Sequence, residues 1–145
     1  MLLGYGSGSA PADAQAPVDG AAPRTAGELA LDGGAISVRL SAERQFDTAL
    51  AQPSIAEDAA GVWLHVESSR RAGTRVAAEF TVEEAVGYTQ GQSLRSDSSL
   101  MIGGDRLSLA WPRPVGGFEP GRYRATVAVE KGPGVDLVFD NVGNA

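Results

Sequence analysis

The sequence predicts an all-β protein, an antiparallel β-sandwich of about seven short strands that follows a disordered N-terminal tether. Apolar and polar residues alternate with a period of two in several separate runs, which is the pattern of strands buried on one face. Turns rich in glycine, proline or polar residues separate these runs. Residues 42–51, where Phe46 and Leu50 lie four positions apart, are the one segment that suggests a short helix.

The alternating segments account for the predicted strands. In chain order they are residues 35–40, 61–67, 74–82, 99–102, 105–111, 123–130 and 135–139. The polar turn at 68–73 predicts a hairpin that joins 61–67 to 74–82. The Gly/Pro turn at 131–134 predicts a second hairpin, which joins the last two segments.

Two longer stretches interrupt the alternation. Residues 42–60 break the pattern, and their predicted anchors are Phe46, Leu50 and Ile55. Residues 83–98 form the longest polar interval of the chain. They are too many for a tight turn, so we expect an exposed loop there.

Residues 4–27 differ in composition from the rest of the chain. Seventeen of these 24 positions are Ala, Gly, Pro or Ser. Such a segment buries too little apolar surface to offset the entropy of ordering it. The predicted organisation is therefore a flexible tether over residues 1–28 and one β-sandwich domain over residues 29–145.

The first residues resemble the lipobox region of a bacterial lipoprotein. Leu2, Leu3 and Gly4 precede a Gly/Ser stretch, as Leu-x-Gly precedes the lipidated cysteine and its tether in those proteins. Tyr5 occupies the cysteine position, so the chain as written cannot be acylated; either a cysteine has been replaced or the match is accidental. The resemblance implies an exported bacterial protein, periplasmic or anchored to the outer membrane, that meets the membrane only through a lipid anchor on the parent protein.

The C-terminal quarter resembles a late strand of immunoglobulin-like and fibronectin-III-like sandwiches. The residues are Phe118-x-Pro-Gly-x-Tyr123-x-Ala-x-Val-x-Val129. The resemblance implies that Tyr123 is buried and that its hydroxyl binds nearby backbone at the Pro120-Gly121 corner. It covers about residues 105–140, because Trp111 lies too close to Tyr123 for a complete fibronectin-III mapping. These folds carry adhesion, assembly and ligand-binding roles alike.

Composition excludes several functional classes. The net charge is −6, from 18 acidic and 12 basic residues, and the longest basic cluster is Arg70-Arg71. We therefore expect no nucleic-acid partner. The sequence has no cysteine, which excludes disulfides, thiolate chemistry and cysteine zinc sites. No apolar run approaches the roughly 18 residues that span a bilayer.

Catalytic and metal-binding patterns are weak, so we expect neither an enzyme nor a cofactor. His65 is the only histidine, on the polar face with Trp63 and Glu67, and is expected to be exposed or beneath a loop. Glu67 could orient it as a general base, but a structural role is favoured. Oxygen ligands for calcium occur near Asp136 and Asp140, without the spacing of a calcium-binding loop.

Three side chains are candidates for binding: Trp63, Tyr88 and Arg95. Aromatic and arginine side chains dominate binding hot spots, although Trp63 could equally pack beneath 42–60 or 83–98. The sequence predicts a non-enzymatic module of the bacterial cell envelope that acts through protein–protein contacts, in assembly or adhesion. The alternative is a small carbohydrate- or ligand-binding module that uses Trp63 and the 83–98 segment.

Overall fold

The computed structural model describes residues 23–56 and 58–141. This part of the chain is all-β, with nine strands in two sheets that form a β-sandwich. The predicted fold class is confirmed, with nine strands in place of about seven. No helix occurs among the described residues, and hence none that is long and apolar enough to cross a membrane.

The strands are short and follow one another closely. They are β1 (Ala26–Leu31), β2 (Gly34–Ser41), β3 (Ser54–Ile55), β4 (Gly61–Ser68), β5 (Thr74–Ala85), β6 (Ser93–Met101), β7 (Arg106–Pro112), β8 (Gly121–Val129) and β9 (Gly134–Asn141). One sheet has the order β1-β2-β4-β7 and is antiparallel. The other has the order β3-β9-β8-β5-β6 and is mixed, because β3 pairs parallel to β9.

The strand order is similar to that of an immunoglobulin-type sandwich. In that fold strand B lies between A and E, and strand F lies between C and G. Here β4 lies between β2 and β7, and β8 lies between β5 and β9. The strand β6 extends the second sheet beyond β5, and β1 extends the first sheet beyond β2.

The core lies between the two sheets and is formed by the apolar side of each alternating strand. Val62, Leu64 and Val66 of β4 are fully buried on one side of it. An aromatic cluster joins the sheets, because the Trp111 ring lies 4.9 Å from the Tyr123 ring, centroid to centroid. The sequence alternation therefore assigned the buried face of these strands correctly.

The corner before β8 has the predicted arrangement. Tyr123 is fully buried, and its hydroxyl donates a hydrogen bond to the backbone carbonyl of Glu119, next to Pro120. This is the geometry of the tyrosine corner of immunoglobulin-like sandwiches. The predicted burial and backbone hydrogen bond of Tyr123 are confirmed, and so is the hairpin of β8 and β9.

The hairpin predicted between 61–67 and 74–82 is wrong. These segments are β4 and β5, which lie in different sheets. Alternation shows which face of a strand is buried, but not whether the next strand lies beside it or across the core. Arg70 holds the crossing segment, because its guanidinium donates to the Asp32 carbonyl (2.9 Å) and the Thr74 hydroxyl (2.8 Å).

Two predictions about local structure are also wrong. Residues 42–51 are not helical but form a loop over the outer face of the first sheet. Residues 83–98 are not one loop, since β5 continues to Ala85 and β6 begins at Ser93. Pairing with β5 orders β6 although its sequence is rich in serine, a weak strand former.

The boundary of the tether requires a correction. The first strand begins at Ala26, inside the segment 1–28 predicted to be disordered, and Arg24 exchanges two backbone hydrogen bonds with Val138 (2.9 and 3.2 Å). Backbone pairing with β2 and β9 supplies the order that these small side chains could not supply by burial. Residues 1–22, including the lipobox-like start and Tyr5, lie outside the described residues.

Candidate functional site

Residues 42–50, here called the strap, cover part of the outer face of the β1-β2-β4-β7 sheet. Arg39 of β2 holds the strap by donating hydrogen bonds to the backbone carbonyls of Thr48 (3.0 Å) and Phe46. The Phe46 ring lies against two guanidinium groups, 4.6 Å from Arg39 and 4.3 Å from Arg106. These cation–π contacts fix an aromatic residue on a face that alternation marks as polar.

His65 is the buried polar group beneath the strap. Its side chain is 0% exposed, with Phe46 packed over it at 5.2 Å between ring centroids. Its Nδ1 lies 2.7 Å from the Ser108 hydroxyl and its Nε2 lies 3.1 Å from the Glu43 carbonyl. Burial lowers the pKa of His65, which keeps the imidazole neutral near pH 7; the Glu43 carbonyl opposes that shift and the Arg39 charge adds to it.

The expected partner of His65, Glu67, is engaged elsewhere. Glu67 forms a salt bridge with Arg106 (3.7 Å), and Ser108 takes its place beside the imidazole because β7 pairs with β4 in the register His65↔Ser108. A Ser–His hydrogen bond is one part of a nucleophilic site. However, Ser108 lies within the strand β7, whereas the serine of a nucleophile elbow lies on a sharp strand-to-helix turn. The hydrogen bonds of His65 satisfy a buried ring and anchor the strap.

Trp63 lies on the same outer face as His65 and is half-buried. Its ring packs over Gly61, where an added Cβ would lie 3.2 Å from the indole. Its cross-strand neighbours are Ser41 and Ala110. Trp63 therefore lies on the β1-β2-β4-β7 sheet, away from the second sheet that carries the other two candidates.

Tyr88 lies in the turn between β5 and β6 and is half-buried against the core. It lines an open groove of about 1440 Å³ whose other walls include Glu83, Arg122 and Arg124. These charges are paired with one another or with β9, since Arg124 binds both Glu83 and Asp136. The groove therefore presents a largely neutralised polar surface beside one aromatic ring.

The carboxylates considered for calcium take part in ion pairs across β8 and β9. Asp140 receives two hydrogen bonds from the Arg122 guanidinium (2.7 and 3.1 Å). Asp136 receives one from Arg124 (2.6 Å) and one from the Thr126 hydroxyl (3.0 Å). In residues 23–56 and 58–141, no three His, Asp or Glu side chains converge on a possible metal position.

Arg95 lies on β6, which is the outermost strand of its sheet and pairs with β5 alone. The direction of its backbone groups follows from the neighbouring ladder. The Arg75 carbonyl of β5 accepts a hydrogen bond from the Glu130 N–H (3.0 Å), so Arg75 faces β8. Backbone groups of successive strand residues point to opposite sides, so the next residue of β5, Val76, faces β6 and pairs there with Ser99.

Every second residue of β6 therefore directs its backbone N–H and C=O groups to the open edge. The N–H and C=O groups of Ser96, Ser98 and Leu100 point away from β5, and so does the C=O of Leu94, whose N–H falls at the register shift between Phe80 and Thr81 and outside the regular alternation. One of these N–H groups has a local partner, because the Ser98 N–H donates to the carboxylate of the preceding residue, Asp97 (2.8 Å). The edge is otherwise a row of backbone donors and acceptors directed outward.

Compared with the other edges of the two sheets, β6 offers the longest open strand. Its nine residues exceed the six of β1, the two of β3 and the seven of β7, which ends at Pro112. It contains neither proline nor lysine, the residues that commonly protect edges. Leu100 and the following Ile102 are 52% and 51% exposed, so apolar surface adjoins the strand.

The structure does not bring the three predicted binding residues together. Tyr88 and Arg95 belong to the β5–β6 hairpin, whereas Trp63 lies on the outer face of the other sheet. Sequence reasoning expected His65 to be exposed or beneath a loop, but it did not identify the strap as that loop, and it missed Ser108, which reaches His65 through sheet pairing. It also missed Asp97, although the alternation of charge in Arg95-Ser-Asp97 was visible in the chain.

No protein-family model matches this chain, and no curated protein matches it. The evidence on function therefore comes from the geometry of the described residues.

Proposed function

We propose that this domain is a non-enzymatic module of the bacterial cell envelope that binds proteins by accepting a partner strand at the open edge of β6. The observation that carries the proposal is the row of outward N–H and C=O groups on a nine-residue strand paired on one side. Strand addition takes its affinity from main-chain hydrogen bonds of this kind.

Specificity would come from the side chains of β6. Arg95 and Asp97 are exposed and carry opposite charges two positions apart, so a partner strand with the complementary spacing is favoured over others. Leu100 adds an exposed apolar contact at the end of the strand. Of the three predicted binding residues, Arg95 is the one that this mode of binding uses directly.

The envelope assignment is supported by the N-terminal sequence. The lipobox-like Leu2-Leu3-Gly4 and the Ala/Gly/Pro/Ser-rich composition that follows are typical of a tethered lipoprotein. A protein partner also agrees with the net charge of −6, which disfavours nucleic acids. The genomic N-terminus tests this part of the proposal: a signal peptide with a cysteine aligned to Tyr5 would support it.

Site-specific photo-cross-linking tests strand addition. A photo-reactive amino acid is placed at Ser98 on the open edge of β6, and at the exposed Ala30 of β1 as the matched edge-strand control. We expect adducts with envelope proteins at Ser98 and not at Ala30. A chelator should leave them unchanged, whereas Ser96→Pro, which removes an outward N–H, should abolish them.

Two results would contradict the proposal. Equal adducts at Ser98 and Ala30 would show that partners do not prefer the edge of β6 to that of β1. Binding of a glycan that disappears in Trp63→Ala would favour the carbohydrate-binding alternative. The non-enzymatic part is tested with a fluorophosphonate probe, which labels activated serines. We expect no label on Ser108; labelling that requires His65 would make the protein an enzyme.

A further inference from the structure

We infer that the strand accepted by β6 is β6 of a second copy of this chain, paired antiparallel about a two-fold axis at Ser96. This inference rests on the proposed function and names its partner. The symmetry is closed, so the product is a dimer in which the two β5–β6 edges form one continuous sheet. Hydrogen-bonding parity permits this register, and the charges select it among the registers that parity permits.

The parity of the backbone permits Ser96 at the centre. Its N–H and C=O both point to the open edge, so Ser96 of the two copies would exchange two hydrogen bonds across the axis. In this register Leu94 lies opposite Ser98 of the second copy, so the outward N–H of Ser98 meets the outward C=O of Leu94. Each copy would thus contribute the outward groups of Ser96 and Ser98 and the carbonyl of Leu94.

The charges select the same register. With Ser96 opposite Ser96, Arg95 lies opposite Asp97 of the second copy, and Asp97 lies opposite the second copy's Arg95. These are non-hydrogen-bonded positions of an antiparallel pair, where opposing side chains are closest, with Cα atoms about 4.5 Å apart. Opposite charges placed in this way are stabilising.

Neighbouring registers lose this complementarity. Centring the pair on Asp97 places the two Asp97 carboxylates opposite each other, and centring it on Arg95 opposes the two guanidinium groups. Both arrangements are destabilising because like charges face each other. Centring on Ser98 preserves the backbone parity but leaves Asp97 opposite Ser99, with no charge pair.

Formation of the dimer requires one local exchange. In the single chain the Asp97 carboxylate accepts a hydrogen bond from the Ser98 N–H (2.8 Å). In the paired state the Ser98 N–H would donate to the Leu94 carbonyl of the second copy, and the carboxylate would bind Arg95 there. The Ser98 N–H and the Asp97 carboxylate therefore each exchange one partner for another. In the monomer the Asp97 carboxylate occupies the Ser98 N–H, which would otherwise be open to pairing with any strand.

Sedimentation velocity over a range of concentrations tests the inference. We expect a concentration-dependent dimer whose dissociation constant rises about tenfold or more in Arg95→Asp and in Asp97→Arg, because each change places two like-charge pairs across the axis. The double variant Arg95→Asp/Asp97→Arg should regain the parental dissociation constant. Arg44→Asp, an exposed arginine on the strap, is the control and should leave it unchanged.

Thiol cross-linking tests the register directly, since the chain has no cysteine of its own. In Ser96→Cys the two thiols lie across the axis on Cα atoms about 5.5 Å apart. In the matched control Ser98→Cys they lie four residues apart along the strands, about 14 Å. A short bis-maleimide should therefore join two copies of Ser96→Cys efficiently and of Ser98→Cys poorly.

The outcomes separate this inference from the proposed function. A parental protein that stays monomeric up to about 1 mM overturns self-pairing, and so does a dimer that persists in both charge-reversal variants. If the monomer nevertheless forms Ser98 adducts with another protein, strand addition at β6 stands with a different occupant. Loss of both the dimer and the adducts overturns both.

Discussion

The hydroxyl of Tyr123 has two opposite effects on the free energy of unfolding: its hydrogen bond stabilises the fold at pH 7, and its titration destabilises the fold at high pH. Tyr123→Phe keeps the ring between Trp111, 4.9 Å away, and Phe139, 5.7 Å away, but removes the donor to the Glu119 carbonyl. An acceptor near the core loses its partner, so the free energy of unfolding at pH 7 should fall by about 1–2 kcal/mol. Tyr123→Ala also removes the ring and should cost about 3–5 kcal/mol.

The pH dependence of the same variant gives the second effect. Burial raises the pKa of Tyr123 to about 12 from an unperturbed 10.0, helped by the nearby Tyr88 and Glu119. The folded state therefore holds a proton that the unfolded state releases between these values, and stability declines as the pH rises through that window. The two-unit difference corresponds to about 3 kcal/mol of stability that the parental protein loses over this pH range. Tyr123→Phe has no hydroxyl to titrate at this position and does not lose it.

Urea unfolding at pH 7, 9 and 11.5 measures both effects, with Tyr88→Phe as the control because the Tyr88 ring is only half-buried. The parental protein should be more stable than Tyr123→Phe at pH 7, and the difference should shrink or reverse near pH 11.5. Tyr88→Phe should stay within about 0.5 kcal/mol of the parent at pH 7. A Tyr123→Phe protein that behaves like Tyr88→Phe at every pH would refute the assignment of the corner.

Two further predictions concern the strap and the N-terminal boundary. Burial lowers the pKa of His65 below 6.5, so the free energy of unfolding should decline as the pH falls through 6.5, by at most about 1.4 kcal/mol per pH unit. In urea titrations at pH 5 to 8, His65→Gln should flatten that decline. An equally steep decline in His65→Gln would contradict the prediction. A chain that starts at Glu28 loses the two Arg24–Val138 backbone bonds and the Leu40 N–H bond to the Thr25 carbonyl. Its melting temperature should therefore fall by several degrees relative to a chain that starts at Pro23, and equal temperatures would show that these bonds contribute nothing.

The sequence predicted the fold class because the evidence for it is local. Each of β2, β4, β5, β8 and β9 alternates over at least five residues. Burial follows that alternation with exceptions such as His65 of β4 and Val138 of β9, which are buried on the opposite face. The tyrosine corner was predicted by the resemblance to a late strand of immunoglobulin-like sandwiches, whose carriers Pro120, Gly121 and Tyr123 lie within four positions. Features that depend on a few neighbouring residues are set by steric and periodic rules that a single sequence displays.

Pairing between distant strands was not predictable in the same way. Both β4 and β5 present an apolar face, and that pattern fits side-by-side pairing as well as packing across the core. The difference depends on the segment 68–73, where Arg70 binds Asp32 and Thr74 and leads the chain to the other sheet. His65 illustrates the consequence, because its partners Ser108 and Glu43 come from elements whose positions the sequence did not fix.

The strap shows a second limit, where one spacing has two physical causes. Phe46 and Leu50 lie four apart, which suits one face of a helix. In the structure Phe46 instead contacts two arginines, and the Leu50 N–H donates to the Leu40 carbonyl (2.8 Å), which continues the backbone pairing of the sheet. A four-residue spacing indicates a helix only if both apolar side chains pack on the same apolar surface. The Phe46 ring packs on guanidinium groups instead, through cation–π contacts.

Only the end of β6 was predicted, as the strand 99–102, and residues 93–98 were missed for the reason that makes them suitable for strand addition. A strand is recognisable in sequence when one face joins the core. Arg95 and Asp97 lie opposite the core residues Phe80 and Ala78 in the pairing of β6 with β5 and are nevertheless exposed. Its order comes from backbone pairing to β5, which leaves no periodic pattern. Free of the demands of packing, its side chains are available to set register and partner, and the charge spacing around Ser96 carries that information.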